Sequence, residues 1–72
     1  MFIRELTQAG HRRRLSISER RDTGWEVRDV QDERILKQVS YTDWHRVERA
    51  LQIFTLVSND LEEHGWKLAA TR

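Results

Sequence analysis

The chain contains no cysteine and no proline, only three glycines, and no long run of apolar residues in its 72 positions. Without cysteine it forms no disulfides or thiolate metal sites and has no thiol nucleophile. A helix needs about 18 apolar residues in a row to span a bilayer, so no membrane contact is expected. The first residues, Met1 to Leu6, lack the pattern of a secretory signal. We therefore expect a cytoplasmic protein.

Hydrophobic residues make up 38% of the chain and charged residues 35%, with a mean hydropathy of -0.81. This composition predicts one small soluble domain, whose stability depends on its apolar core or on a second chain. The net charge of +1 is unevenly spread, with +4 over residues 1–21, −5 over 22–64 and +2 over the last eight. A polyanion would thus be attracted only by the N-terminal patch.

Two turn signals divide the first half of the chain into alternating segments. They are Asp22-Thr23-Gly24, where glycine supplies a positive φ, and Gln31-Asp32-Glu33-Arg34. Apolar and polar residues alternate beside both turns, as in strands with one covered face. We predict an antiparallel meander with strands near 13–20, 25–31 and 34–41. Its covered face is expected to carry Leu15, Ile17, Trp25, Val27, Ile35, Val39 and Tyr41.

The second half of the chain has the period of an amphipathic helix. Apolar residues recur at spacings of three and four, at Trp44, Val47, Leu51, Phe54, Val57 and Leu61. Thr42 is expected to cap the start of the helix. Gly65 is expected to end it in a left-handed conformation, with Trp66 completing a Schellman motif. The predicted helix runs from about 43 to 64 and covers the sheet.

The predicted fold class is α+β, a three-stranded antiparallel meander covered on one face by a long C-terminal helix, in the order β-β-β-α. Residues 13–66 form the domain, residues 1–12 a partly exposed N-terminal segment, and residues 67–72 a C-terminal tail. Periodicity over Phe2 to Leu6 cannot distinguish a helical turn from a fourth, edge strand. Both alternatives stay open at this point.

Catalytic and metal-binding patterns are weak. Asp60 and His64 lie one helical turn apart, but two ligands do not make a site, and His11 and His45 are distant in sequence. Glu19 and Asp29 share the parity of the covered sheet face and are expected to reach water at strand ends. No phosphate-binding loop or nucleophile motif is present. We expect no enzyme activity, no metal, no cofactor and no small-molecule substrate.

The helix carries apolar residues outside the stripe that faces the sheet. At about 100° per residue, Ile53 and Leu56 point away from that stripe. Together with the flank of Val57 they form a second apolar strip on a charged helix. We call Ile53, Leu56 and Val57 the outer helix strip and predict that it mediates self-association.

Arginines dominate the N-terminal part, and eleven of the thirteen basic residues are arginine. Arginine and hydroxyl side chains on the uncovered sheet face suit phosphates and base edges. Glu26 lies among them and opposes a polyanion. The candidate nucleic-acid contacts are Arg12, Arg13, Arg14, Arg20 and Arg28.

Two segments carry a resemblance to known proteins. Gly24-Trp25-Glu26-Val27-Arg28, and Tyr41-Thr42-Asp43-Trp44 at the start of the helix, resemble short, uncharacterised bacterial proteins with a three-strand meander and one helix. The likeness covers about residues 13–66 and implies no activity. The order of elements is also similar to the arm-type DNA-binding domain of phage integrases and the plant ethylene-response-factor domain. In those families arginines and tryptophans project from a DNA-reading sheet.

These observations predict a small non-enzymatic interaction module that self-associates through the outer helix strip. Its partner is expected to be a second copy or another protein. The alternative is a weak nucleic-acid-binding domain that uses the N-terminal arginines and the open sheet face.

Overall fold

A computed structural model describes residues 2–22 and 24–69. Within these residues, five strands form one antiparallel sheet in the order β4-β3-β2-β1-β5, and one helix packs on it. The elements in chain order are β1 Phe2–Gln8, β2 His11–Arg20, β3 Gly24–Gln31, β4 Arg34–Tyr41, α1 Trp44–Glu63 and β5 Lys67–Leu68. The α+β class and the C-terminal helix are confirmed, but the sheet has more strands than the predicted three.

The N-terminal segment is a strand, which decides between the two alternatives left open by the sequence. β1 pairs with β2 along its whole length, from Phe2 opposite Ile17 to Gln8 opposite His11. Ala9 and Gly10, with φ of 48 and 84, make the tight turn between them. The sheet therefore includes residues 2–8, as the strand alternative predicted, although β5 and not β1 forms its edge.

The chain after the helix also joins the sheet. Leu68 pairs with Leu6 and Lys67 with Thr7, on the outer edge of β1. The backbone N–H of Ala69 donates to the Glu5 carbonyl at 2.7 Å. The sequence predicted that residues 67–69 belong to a C-terminal tail, but the structure places them beside β1. Residues 70–72 of the predicted tail lie outside the described chain.

The meander itself follows the predicted boundaries within two residues, except for one change of face. Gly24 has a φ of 88, and a Cβ there would meet the backbone of Tyr41.

In β4 the pairing shifts by one residue, because Asp29 pairs with Lys37 but Val30 pairs with Ile35. This bulge turns Ile35 to the open face, where it is 50% exposed. The prediction that Ile35 lies on the covered face was therefore wrong.

The helix begins one residue later than predicted and is capped by a different side chain. Asp43, not Thr42, is the N-cap, and its Oδ1 accepts from the His45 backbone N–H at 3.0 Å. At the other end Gly65 has a φ of 96 and donates to the Glu62 carbonyl, while Trp66 donates to that of Leu61. These two bonds are a Schellman motif, as predicted.

The core lies between the sheet and the helix. Its buried apolar residues are Leu6, Leu15, Ile17, Val27, Val47, Ala50 and Phe54. Most predicted core positions are confirmed, and Leu6 was missed because its strand was not assigned. Trp25 is only half-buried, and its ring contacts Trp44 at a centroid distance of 5.3 Å. Trp44 is 47% exposed, so it caps the edge of the core instead of filling it.

In the described part of the chain, no helix has the length and apolar character that crossing a bilayer requires.

Candidate binding surfaces

The outer helix strip lies on solvent-exposed helix surface. With Phe54 directed at the sheet, Ile53 and Leu56 point about 100° and 160° away from it at the ordinary helical turn. They are 45% and 68% exposed, and Leu56 is the most exposed large apolar residue described. Val57 differs, because it is half-buried and packs against the core. The exposed apolar centre of the strip is therefore Ile53 and Leu56.

Charged residues extend this strip in both directions. Arg46 and Arg49 precede it, and Asp60 and Glu63 follow it, all exposed. Within the described residues, neither arginine has a carboxylate within 4.0 Å, and Asp60 has only His64, at 3.6 Å. The signal was present in the sequence, because these residues continue the spacing of three and four.

A shallow groove runs between the helix and β4, next to Ile53. Its volume is about 250 Å³, and it is lined by Lys37, Tyr41, Arg46, Arg49, Ala50 and Ile53. Lys37 also has no carboxylate within 4.0 Å among the residues described, since Asp29 opposite it is held by Arg13. The groove therefore presents positive charge beside the apolar strip.

The open sheet face is the second surface, and pairing places its side chains in rows. One row is Ile3, Ser16, Arg28 and Gln38, and the next is Glu5, Arg14, Val30 and Ile35. Ser16 and Ser18 are small and half-buried, so a depression of about 330 Å³ lies above them. Arg14 and Arg28 line it from adjacent rows. The result is a shallow basic depression with a hydroxyl floor.

The five predicted nucleic-acid contacts do not share one face. Arg12, Arg14, Arg20 and Arg28 have the parity of the open face. Arg13 points to the helix side, where it forms a two-bond ion pair with Asp29. Asp29 is 9% exposed, so the expectation that it reaches water was also wrong. Arg13 is occupied inside the domain and is unavailable to an external phosphate.

Arg28 carries an unsatisfied donor at this depression. Its Nε is buried and has no hydrogen-bond partner among the described residues. Buried polar groups are nearly always paired in folded proteins. Because the Nε is shielded from solvent, an acceptor oxygen from a ligand would reach it only after the Arg28 side chain turned outward.

Glu26 places one negative charge within the open face. It accepts from Arg20 at 2.8 Å and from Gln38 at 3.2 Å. The Arg20 hydrogen bond lowers the pKa of Glu26 below its ordinary value, so this carboxylate stays ionised. Arg20 is thereby partly neutralised.

The three histidines lie apart from one another. His11 contacts Asp32 at 2.8 Å, His45 contacts Glu48 at 3.4 Å, and His64 contacts Asp60. No group of three or more histidine and carboxylate side chains converges on a metal position within residues 2–22 and 24–69.

Comparison with known proteins found no matching family model, no matching curated protein and no matching solved structure.

Proposed function

We propose that this chain is a small non-enzymatic interaction module that self-associates through the outer helix strip. The observation that carries the proposal is the exposure of Ile53 and Leu56 on a helix whose opposite side already supplies the core. The domain has few core residues, so burying these two apolar side chains in a dimer would stabilise the folded state. This stabilisation would increase with protein concentration.

The apolar centre is small, which sets the expected affinity. Two large apolar side chains per protomer fall short of the roughly 800 Å² per partner of a standard interface. We expect a dissociation constant on the order of 10–100 µM, equivalent to about 5–7 kcal/mol.

Sedimentation equilibrium from about 5 to 300 µM, a range chosen around that dissociation constant, tests the proposal. Wild type should pass from monomer to dimer across this range. Leu56→Glu should remain monomeric, because a carboxylate would be desolvated at the interface. Thr55→Glu is the matched control, since Thr55 is exposed next to Leu56 but lies about 160° around the helix from Ile53, so it should weaken the dimer much less. A wild type that stays monomeric throughout refutes self-association.

A second candidate function is nucleic-acid binding by the open sheet face. The specific observation in its favour is Arg28, whose buried Nε lacks an acceptor at a depression that Arg14 also lines. The order of elements expected from the sequence resembles integrase arm-type domains, which read DNA through a sheet, and this resemblance is consistent with the candidate. The helix and the open face lie on opposite sides of the sheet, so both functions are compatible.

The contact set for this candidate is smaller than the sequence suggested. Arg12, Arg14 and Arg28 remain as contacts, although the Arg14 Nε lies 3.9 Å from Glu5 Oε1, whereas Arg20 is shared with Glu26. Three phosphate contacts predict a slope of about −2.7 for log affinity against log salt on duplex DNA. Binding should therefore be weak and should require low salt.

A fluorescence titration with a mixed-sequence duplex and a single strand at low salt tests the candidate. Arg14→Ala/Arg28→Ala should abolish most binding. Arg34→Ala/Lys37→Ala removes the same charge from β4 outside the depression, so it should change binding much less. Equal losses in the two variants, or no saturable binding by wild type, would exclude a specific site on the open face.

A further inference from the structure

We infer that the occupant of the outer helix strip is a second copy of this chain, whose helix packs antiparallel with Ile53 opposite Leu56 of its partner. The inference rests on the proposed self-association and specifies its geometry. It follows from the order of charges along the exposed side of α1.

Six exposed residues form one continuous line along the helix, which we call the helix seam. They are Arg46, Arg49, Ile53, Leu56, Asp60 and Glu63. Their spacing is three, four, three, four, three, the heptad spacing that keeps side chains on the seam between two packed helices. At 1.5 Å per residue the helix seam is about 26 Å long, nearly the whole helix.

The helix seam is ordered by charge. Its first two residues are cationic, its middle two apolar and its last two anionic. When two such helices run antiparallel and Ile53 meets Leu56, Arg49 falls opposite Asp60 and Arg46 opposite Glu63. A parallel arrangement would place like charges together at both ends, which is unfavourable. The helix dipoles also favour the antiparallel arrangement.

The groove beside Ile53 adds one further cation, Lys37 of β4, to the basic end of the helix seam. Lys37 and Tyr41 of β4 line it together with Arg46 and Arg49, so its positive charge comes from two elements. In the antiparallel arrangement the acidic end of the second helix lies over this basic groove. The unpaired cations of one copy thereby meet the carboxylates of the other, twice per dimer.

Charge exchange tests the register directly. Arg49→Glu alone should bring two carboxylates together at each end of the interface, and Asp60→Arg alone should bring two cations together there. Each variant should therefore weaken the homodimer by about tenfold or more in sedimentation. An equimolar mixture of the two single variants should recover association. In the mixed dimer the two substituted positions face each other with opposite charges, and the other contact is the unchanged pair of Arg49 and Asp60. The double variant Arg49→Glu/Asp60→Arg should recover the homodimer, because both contacts are again opposite in sign.

Cross-linking measures the orientation without changing charge. The chain has no cysteine, so single variants Ile53→Cys and Leu56→Cys each carry one thiol. After oxidation with diamide, a mixture of the two should yield mainly the mixed disulfide. A parallel dimer would instead cross-link each variant to itself. Circular dichroism of each variant establishes that the exposed substitutions leave the helix folded.

The outcomes separate this inference from the proposed function. A dimeric wild type that Leu56→Glu dissociates, but whose charge variants do not recover on mixing, supports self-association and overturns the antiparallel register. Self-linked cysteine variants overturn it as well. A wild type that is monomeric throughout overturns both.

Discussion

Arg13 donates two parallel hydrogen bonds to Asp29, from Nε to Oδ1 and from Nη2 to Oδ2, each 2.8 Å long. The pair lies on the helix side of the sheet, with side chains 18% and 13% exposed. A charge left alone there would be poorly solvated. One of the arginines that the sequence assigned to nucleic acid is therefore part of the domain's own structure.

Arg13→Ala should lower the free energy of unfolding by about 3 kcal/mol, because it leaves Asp29 buried without its partner. Arg14→Ala is the matched control, since its pair with Glu5 is long, at 3.9 Å, and exposed, and its loss should cost less than about 1 kcal/mol. Urea unfolding followed by tryptophan fluorescence measures both. Similar values for the two variants would contradict a structural role for the Arg13 pair.

The tryptophan contact predicts coupled effects on stability. Trp25→Ala should cost about 3 kcal/mol, because this half-buried ring packs on the core. Trp44→Ala should cost about 1 kcal/mol, because nearly half of Trp44 is already exposed. A double-mutant cycle should give a coupling of about 0.5–1.5 kcal/mol from the ring contact. A coupling near zero would show that the rings do not interact in solution.

Alanine substitutions at two glycines distinguish the cost of backbone strain from the cost of steric overlap. Both Gly10 and Gly24 have positive φ, but a Cβ at Gly10 meets open space, whereas one at Gly24 meets the Tyr41 carbonyl. Gly10→Ala should cost about 1–2 kcal/mol from the left-handed conformation alone. Gly24→Ala should cost about 2–5 kcal/mol, because overpacking adds to that strain. Thermal unfolding of the two variants gives the comparison, and equal losses would be inconsistent with it.

His64 links stability to pH at the C-terminal end of the helix. Its Nδ1 lies 2.7 Å from the carbonyl oxygen of Asp60, and this hydrogen bond raises the pKa of His64 above its ordinary value. The charged form is thus favoured by folding. The contribution of charged His64 to the free energy of unfolding is complete below about pH 6.5, the ordinary histidine pKa. It is lost as the pH rises through the raised pKa.

An NMR titration of the His64 ring should therefore give a pKa above that of the same residue in urea. His64→Gln should remove this part of the pH dependence of unfolding. Asn59→Gln, an exposed substitution of a residue that does not titrate on the same helix, serves as the control and should leave it unchanged. A His64 pKa equal to its unfolded value would contradict the carbonyl contact.

If the open face binds nucleic acid, Glu26 opposes it. Glu26→Gln should raise the affinity for DNA several-fold at low salt, because it removes the negative charge and releases Arg20. Glu48→Gln, an exposed helix carboxylate on the other side of the sheet, provides a control of equal charge change. Fluorescence titrations of both variants measure the difference. Equal gains would mean that only the net charge matters.

Local rules in the sequence determined much of this protein. The period of three and four from Val47 onward placed the helix, because one face of a helix must be apolar to cover a sheet. Gly65 marked its end, since a Schellman motif needs a left-handed residue at that position. The exposure of Ile53 and Leu56 also followed from helical geometry alone.

Tertiary pairing decided the remainder. Residues 2–8 are too few for periodicity to identify a strand, and only pairing with β2 and β5 fixes them. The bulge in β4 moves Ile35 to the other face, because one extra residue reverses the alternation of side chains. Arg13 could be matched to Asp29 only once the register of β2 and β3 was known. Strand register depends on contacts between segments distant in sequence, and these contacts leave no local pattern from which to predict them.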